Sequence, residues 1–510
     1  MWPRLTFRDV RIIGHYLGVL VAFSSLTYLV PVIMALFLQE WEPASRYLLA
    51  GGLSLIIGMA LQFLRVQPGR LSRQQALVVT GLAWILLAWV ASFPLYYSGH
   101  FATYLDALFD GVSGLTTTGA STIVDLDHLS YADNMFRFIQ HLLGGLGLIV
   151  VALSLGLFGR GGAGSLYNSE ARSEHVVPNV VQTARFISRV ALLFIVLSAL
   201  ILSVFCLLAG MEPLRAFLHG LWLAVTGFIT GGFSPTSQSV VYYHSLPMEI
   251  FLMLLMLVGS INFVLHDEIW KGRLQVFFRD IETRTMLIWL ACVTLIMAAA
   301  MCTNVSYSSL PIMLRRGLFM IVSAFSTTGL QNVPSSELAT MFTSGSFLVL
   351  AMIMAVGGSA GGTAGGLKLL RVGIVAKSML ATIKETLAPD SARVVVTYYH
   401  VGRRTLSHDV SREALTVFLL YVITYAIGSL FGVAYGNDAS TAIFESVAMT
   451  SNGGLSAGIV TAGMPWQLEL VYIFQMWAGR LEFVTLLALI VEVVVSIKPR
   501  DWKFKHARNA

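Results

Sequence analysis

The stretch "VSGLTTTGAST", residues 112–122, sets six hydroxyl side chains and two glycines between long apolar runs. Similar fragments recur at 225–234, 322–331 and 447–456. Aligned without gaps, they share one register: Val112, Val225, Val322 and Val447 each precede a glycine by seven residues (Gly119, Gly232, Gly329, Gly454). With the valine as position 0, an aromatic stands at −3 (Phe109, Trp222, Phe319, Phe444) and Thr117, Thr230, Thr327 or Asn452 at +5. Thr118, Gly231, Thr328 and Gly453 fill position +6. Fourfold internal repetition of this kind decides architecture before any single element is considered.

The rest of the chain says what surrounds these fragments. Of 510 residues, 56% are apolar and only 12% charged, about half the charge of an ordinary soluble chain. Apolar runs near 12–38, 44–64, 75–97, 136–158, 186–210, 247–270, 285–303, 341–375, 411–434 and 467–497 are each of membrane-crossing length. They are continuous rather than alternating, which excludes a β-barrel. The expected class is an all-α polytopic membrane protein. The first run is too long for a signal-peptide core and reads as a retained helix. Cys206, Cys292 and Cys302 have no metal or disulfide spacing.

The net charge of +6 follows membrane topology. With the N-terminus inside, Arg46, Arg137, Arg215, Arg315 and Arg316 fall outside, Arg480 lies within a helix, and every other Lys and Arg is cytoplasmic. That positive-inside bias places both termini in the cytoplasm. The basic tail "KPRDWKFKHAR" (498–508) is then a topology signal, and no nucleic-acid partner is expected.

After residue 70 the long helices pair, and each pair encloses a shorter apolar run: "YLDALFDGVSGL" (104–115), "PLRAFLHGLWLAVTGF" (213–228), "SSLPIMLRRGLFMIVSAF" (308–325) and "DASTAIFESVAM" (438–449). These are short for spanning helices and suit re-entrant ones. Each runs into one glycine-bearing fragment. Extended backbone at membrane depth survives only when it is buried in protein or faces water. Four such strands about one axis can aim carbonyl oxygens inward and replace a cation's hydration shell. A half-length helix before each strand points its partially negative C-terminus at the same place.

On these fragments the chain resembles the Trk/Ktr/HKT superfamily of cation transporters, most nearly its TrkH-type membrane subunits. The likeness extends to "HLLGGLGLIVVAL" (141–153), "GSINFVLH" (259–266), "GGSAGGTAGGLKLLR" (357–371) and "MWAGRLE" (476–482), similar to the second helices of the family's four repeats. The resemblance implies an N-terminal helix pair (1–70) and four helix–pore loop–helix repeats (71–160, 161–272, 273–405, and 406–510 with the tail). It implies potassium uptake across the bacterial inner membrane, with potassium as the transported ion and no covalent cofactor. It also implies a homodimer with a pore in each protomer, in contact with membrane lipid, and a cytoplasmic TrkA-type nucleotide-binding regulatory subunit. The implied filter is Thr117, Thr118, Gly119, Thr230, Gly231, Gly232, Thr327, Thr328, Gly329, Asn452, Gly453 and Gly454. In sodium-conducting relatives the first filter glycine is serine; Gly119 favours potassium, while Asn452 in place of threonine keeps a sodium or mixed transporter as the alternative.

"GGSAGGTAGG" (357–366) places six glycines in ten residues, and each costs up to about 1 kcal/mol in a helix interior. The eighth long segment should therefore break near mid-membrane. Gly357, Gly358, Gly361, Gly362, Gly365, Gly366 and Lys368 are the expected gate, with close helix packing as the competing reading. They form no Walker A loop, because Leu367 precedes Lys368 and no Ser or Thr follows it. Arg480, about 13 residues into its predicted helix, is expected beneath the filter, bonded to carbonyls of that loop; an ion pair with Glu482 is the competing account. Asp106, Asp110, Asp125, Asp127 and Asp133 collect on the outer side and form either a cation-concentrating mouth or ordinary helix-terminal and loop charges. The inner loop 372–410, with Lys377, Lys384, Arg393, Arg403 and Arg404, and the loop around 160–185 are the expected docking surfaces of a regulatory subunit, although membrane topology alone would also collect their charges. Two other classes fit poorly. Inverted-repeat transporters do not place every fragment on one side, and an intramembrane enzyme would need a constellation that His141, His175, His219, His244 and His266 do not form.

Overall fold

The computed structural model describes residues 4–63, 71–154, 180–302, 310–334, 338, 344–389, 391 and 394–497. The loop residues 155–179, Arg393, the basic tail and the boundaries expected at 70 and 160 lie outside them. Among the described residues six helices are long and apolar enough to cross a membrane, and one sharply bent pair adds a seventh span.

The N-terminal helices are α1 (Phe7–Ser25), α2 (Leu29–Phe37) and α3 (Trp41–Gln62), α1 running into α2 through the 3-10 turn Leu26–Tyr28. α1 and α3 cross on glycines: a β-carbon on Gly58 would stand 2.5 Å from the Ala22 nitrogen. Small residues here let the backbones touch where lipid supplies no hydrophobic drive. The pair is fixed to the next unit by Arg46 and Tyr47, which reach the buried Asp133 at 3.0 and 2.6 Å.

Four units of like build follow. The first is α4 (Arg73–Tyr96), α5 (Tyr104–Leu115), α6 (Tyr131–Leu146) and α7 (Leu148–Ser154). The second is α8 (Val180–Leu208), α9 (Pro213–Ile229), α10 (Leu246–Ser260) and α11 (Phe263–Trp270). A short α12 (Leu274–Arg279) leads to α13 (Ile281–Cys302), α14 (Leu310–Phe325), α15 (Ser344–Ala355) and α16 (Leu369–Leu387). After an antiparallel hairpin, β1 (Thr397–His400) with β2 (Gly402–Thr405), the last unit is α17 (His408–Ala434), α18 (Ala439–Thr450), α19 (Trp466–Arg480) and α20 (Val484–Ile497).

The sequence predicts one broken second helix, in the third unit, and the glycine run 357–366 does lie in a non-helical loop between α15 and α16. The structure breaks the other three as well. Continuous helices over 136–158, 247–270 and 467–497 are replaced by a break at Gly147 (φ +88°), a 103° bend at 261–262, and left-handed Glu482 and Phe483 (φ 52° and 65°). Apolar residues predominate in the stretch across each break, so a reading by hydropathy alone passes over it. Tertiary partners take up backbone groups at two of these broken ends: Ser359 N–H donates to Ser260 O (2.9 Å) and Thr363 N–H to Gly259 O (3.2 Å), while Tyr421 Oη donates to Gly479 O (3.2 Å). The connection 372–410 also holds more structure than a loop, since α16 runs to Leu387 and the hairpin follows.

Candidate functional site

Each of the short helices α5, α9, α14 and α18 ends where its glycine-bearing strand begins. The first turn of each strand is set by the same backbone bond, from position +6 N–H to position +1 carbonyl: Thr118 to Ser113 (2.9 Å), Gly231 to Thr226 (2.9 Å), Thr328 to Ser323 (3.0 Å) and Gly453 to Ala448 (2.8 Å). The residue before it, Thr117, Thr230, Thr327 or Asn452, is left-handed in all four, with φ of 56°, 54°, 51° and 53°. For β-branched threonine this conformation is an outlier costing about 1–2 kcal/mol. It turns the chain from the short helix into the strand.

The four strands meet in one closed ring. A β-carbon on Gly119 would stand 2.5 Å from Gly231 O, one on Gly232 2.3 Å from Thr328 O, one on Gly329 2.7 Å from Gly453 O, and one on Gly454 1.8 Å from Thr118 O. Each glycine thus faces the +6 carbonyl of the next strand, and the cycle closes from the fourth unit to the first. The glycines have φ of +83°, +90°, +89° and +57°. No side chain fits at any of the four.

Behind the ring, buried side chains lock strand to strand. His141 Nε2 accepts from Phe233 N–H (3.0 Å), so its Nδ1 carries the proton and donates to Gly114 O (2.7 Å). One imidazole therefore ties α5 to the second strand. Phe233 is held between the His141 ring (centroids 4.2 Å apart) and the Arg137 guanidinium (3.8 Å). Arg137 pairs with Asp110 (3.2 Å), whose Oδ1 accepts from Ser121 (2.6 Å). In the fourth unit Glu445, at the register position of Asp110, accepts from Ser456 (2.7 Å), at the position of Ser121. These acids brace the outer end of their strands.

The outer-side acids accordingly form no open mouth. Asp106 is buried and caps α5 through Thr103, Asp110 and Asp133 are buried against Arg137 and Arg46, and Asp127 and Asp125 are engaged by Ser237 and His128. Of the two readings the sequence leaves open, helix-terminal and structural charges describe their geometry.

Beneath the ring, the loop between α15 and α16 reaches the +5 position of three strands, and Arg480 that of the first. Gly365 N–H donates to Thr327 Oγ1 (2.7 Å), and a β-carbon on Gly365 would stand 3.0 Å from the Asn452 Cβ. Thr230 Oγ1 donates to Thr363 Oγ1 (3.2 Å), whose own hydroxyl lies 3.1 Å from Phe228 O and 2.8 Å from Gly259 O. Arg480 donates to Thr117 Oγ1 (3.0 Å), Thr363 O (3.3 Å) and Gly144 O. It is the last residue of α19 and not mid-helix as the apolar run suggests, while Glu482 pairs with Arg371 (2.5 Å). Lys368 Nζ donates back to Ala364 O, and Tyr421 Oη holds Gly366 O at 3.1 Å. At the loop's far side Ala360 N–H donates to Glu282 (2.6 Å).

The predicted filter and loop residues therefore converge. What the residue pattern missed is the scaffold: His141, Thr363, Tyr421 and Glu282. The paired offsets Asp110–Ser121 and Glu445–Ser456, each eleven residues apart, were the one internal signal that would have exposed part of it.

Comparison with known proteins agrees with this architecture. A family profile described as "TrkH: Cation transport protein" matches residues 44–497. An uncharacterized cation transporter of Methanocaldococcus jannaschii, MJ1485, is 31% identical over 488 residues, covering 95% of this chain and 96% of that protein. The Trk system potassium uptake protein TrkH of Escherichia coli K12 is 29% identical over 94% of this chain and 98% of its own. The crystal structure of the potassium transporter TrkH from Vibrio parahaemolyticus has the same fold, with a TM-score of 0.79 at 24% identity over 98% of this chain and 100% of that one. The chain is a multi-pass membrane protein, and it belongs to the TrkH family of cation transport proteins.

Proposed function

We propose that this protein carries potassium ions across the bacterial inner membrane through the ring of +6 carbonyls, with both termini in the cytoplasm. The observation that carries the reading is the closed cycle in which every strand's glycine faces the next strand's carbonyl oxygen. Dehydrated monovalent cations are held by such rings of backbone oxygen, and the C-termini of four short helices add negative potential at the same place. Potassium is favoured by Gly119 and by the E. coli relative, named a potassium uptake protein. Thr117, Thr118, Gly119, Thr230, Gly231, Gly232, Thr327, Thr328, Gly329, Asn452, Gly453 and Gly454 are the ion-binding residues in this reading.

The loop holding Gly357, Gly358, Gly361, Gly362, Gly365, Gly366 and Lys368 is the gate, with Arg480 as its latch. Support comes from its bonds at the base of the strands and from a guanidinium that repels cations there. A regulatory subunit of the TrkA kind, docked on the cytoplasmic connection that carries Lys377, Lys384, Arg403 and Arg404, would move it. The "Trk system" naming of the relatives supports that partner, and the homodimer and the division at 70, 160, 272 and 405 belong to the same reading.

The test is potassium-dependent growth of a bacterial strain lacking its own uptake systems. The wild-type chain should restore growth at low potassium and Gly232→Ser should not. Equal rescue by both would remove the ring from the ion path, and flux abolished by equimolar sodium would replace the potassium assignment with a sodium or mixed one.

A further inference from the structure

Four cations, on α12, α13, α16 and the hairpin, have no part in the ring or the loop, and the fold gathers them. A cavity of about 580 Å³ opens between α13, α16 and the β-hairpin. Arg279, Arg284, Lys377 and Arg403 line it together with Tyr398 and Tyr399, and no carboxylate is among its described lining residues. Arg284 Nε donates to Phe278 O (3.2 Å); among the described residues Arg279, Lys377 and Arg403 have no ion pair. Like charges held together without a counter-charge mark a place for an anion.

The same helix faces turn apolar one turn on, Ile288 following Arg284 by four residues and Leu380 following Lys377 by three. Ile288 and Leu380 border the cavity, 66% and 50% exposed, and Leu287, Met379 and Ile383 continue the exposed apolar surface beside them. α13 is itself a membrane-crossing helix over Ile281–Ala299, so this face leads from the basic end into the hydrocarbon. Tyr398 and Tyr399, which line the same cavity, suit headgroup depth. A free anion would need the cations alone. The apolar flank asks for a ligand that is charged at one end and oily at the other.

We propose that this cavity binds the phosphate headgroup of an anionic phospholipid. Basic pockets between helices on the cytoplasmic side take such headgroups. The position has a structural consequence. Asp280, next to Arg279, accepts from His400 Nδ1 (3.2 Å) and Val401 N–H (2.9 Å), and Glu282, next to Ile281, accepts from Ala360 N–H of the intramembrane loop (2.6 Å). A lipid there clamps the hairpin to the helix that holds the loop.

The full chain, purified in neutral detergent, is titrated with phosphatidylglycerol, phosphatidylcholine and inorganic phosphate, with bound lipid counted by native mass spectrometry and Tm recorded. Phosphatidylglycerol should bind saturably and raise Tm. The combined variant Arg279→Gln, Lys377→Gln, Arg403→Gln should weaken it about a hundredfold, and Arg403→Gln alone about fivefold. Arg404→Gln, on the adjacent strand position of the hairpin, should leave it unchanged. Arg403→Gln keeps the test decisive if the triple variant does not fold. Equal phosphatidylglycerol binding by wild type and Arg403→Gln, phosphatidylcholine binding as tight, or inorganic phosphate giving the same saturable Tm rise would each overturn the assignment. No ion flux is measured, so the outcome is separate from that of the proposed pore.

Discussion

Replacing Gly232 by alanine separates the strain of its backbone from the crowding of the ring, because the chain contains a matched control. Gly210 has φ +88° with nothing within 4 Å of its added β-carbon; Gly232 has φ +90° with Thr328 O at 2.3 Å, Gly119 Cα at 3.0 Å and Thr118 O at 3.1 Å. Both alanines carry the same cost for a positive φ, about 1–2 kcal/mol. Only Gly232→Ala must also push ring carbonyls aside, an overpacking cost of about 1–3 kcal/mol. If that excess falls on the ion-binding geometry, potassium occupancy drops about 5- to 150-fold relative to the control. The assay is potassium flux into proteoliposomes under a fixed potential, with sodium as competitor, alongside the Tm of both variants. Gly210→Ala should conduct like wild type, and Gly232→Ala should lose most flux and part of its preference for potassium. If Gly232→Ala matches Gly210→Ala in rate and preference, the ring is not the ion path and the reasoning fails.

Other substitutions probe the scaffold. Arg480→Ala removes donors to Thr117 Oγ1, Thr363 O and Gly144 O, and flux measured without a regulatory partner should rise; unchanged flux removes Arg480 from gating. Thr363→Val strips the hydroxyl near Phe228 O, Gly259 O and Thr230 and should loosen the loop by about 1–3 kcal/mol, read as faster hydrogen exchange over 356–368. His141→Ala leaves Gly114 O and Phe233 N–H buried without a side-chain partner and should cost about 2–6 kcal/mol, seen as a lowered Tm. Gly479→Ala sets a β-carbon 1.8 Å from Thr450 O and should destabilise by about 1–3 kcal/mol. Gly52→Ala, with nothing within 4 Å, should instead raise Tm slightly through helix propensity.

By itself the sequence determined the class, the four units and the register within them. Hydropathy and repeat spacing are local properties that a chain carries before it folds. The valine-to-glycine spacing identified the strands, and six glycines in ten residues marked the one break that composition could show. Tertiary structure decided the rest. Three further helices break inside largely apolar runs, and at two of them the end groups find partners distant in sequence, as Ser260 O finds Ser359 and Gly479 O finds Tyr421. Asp110, grouped by the sequence with the outer acids, is a buried brace because Arg137 and Ser121 close on it. The glycine at each ring position is required by a carbonyl from a different unit, more than 90 residues away in every case. Periodicity reports which faces are oily; only packing brings Thr118 O to Gly454.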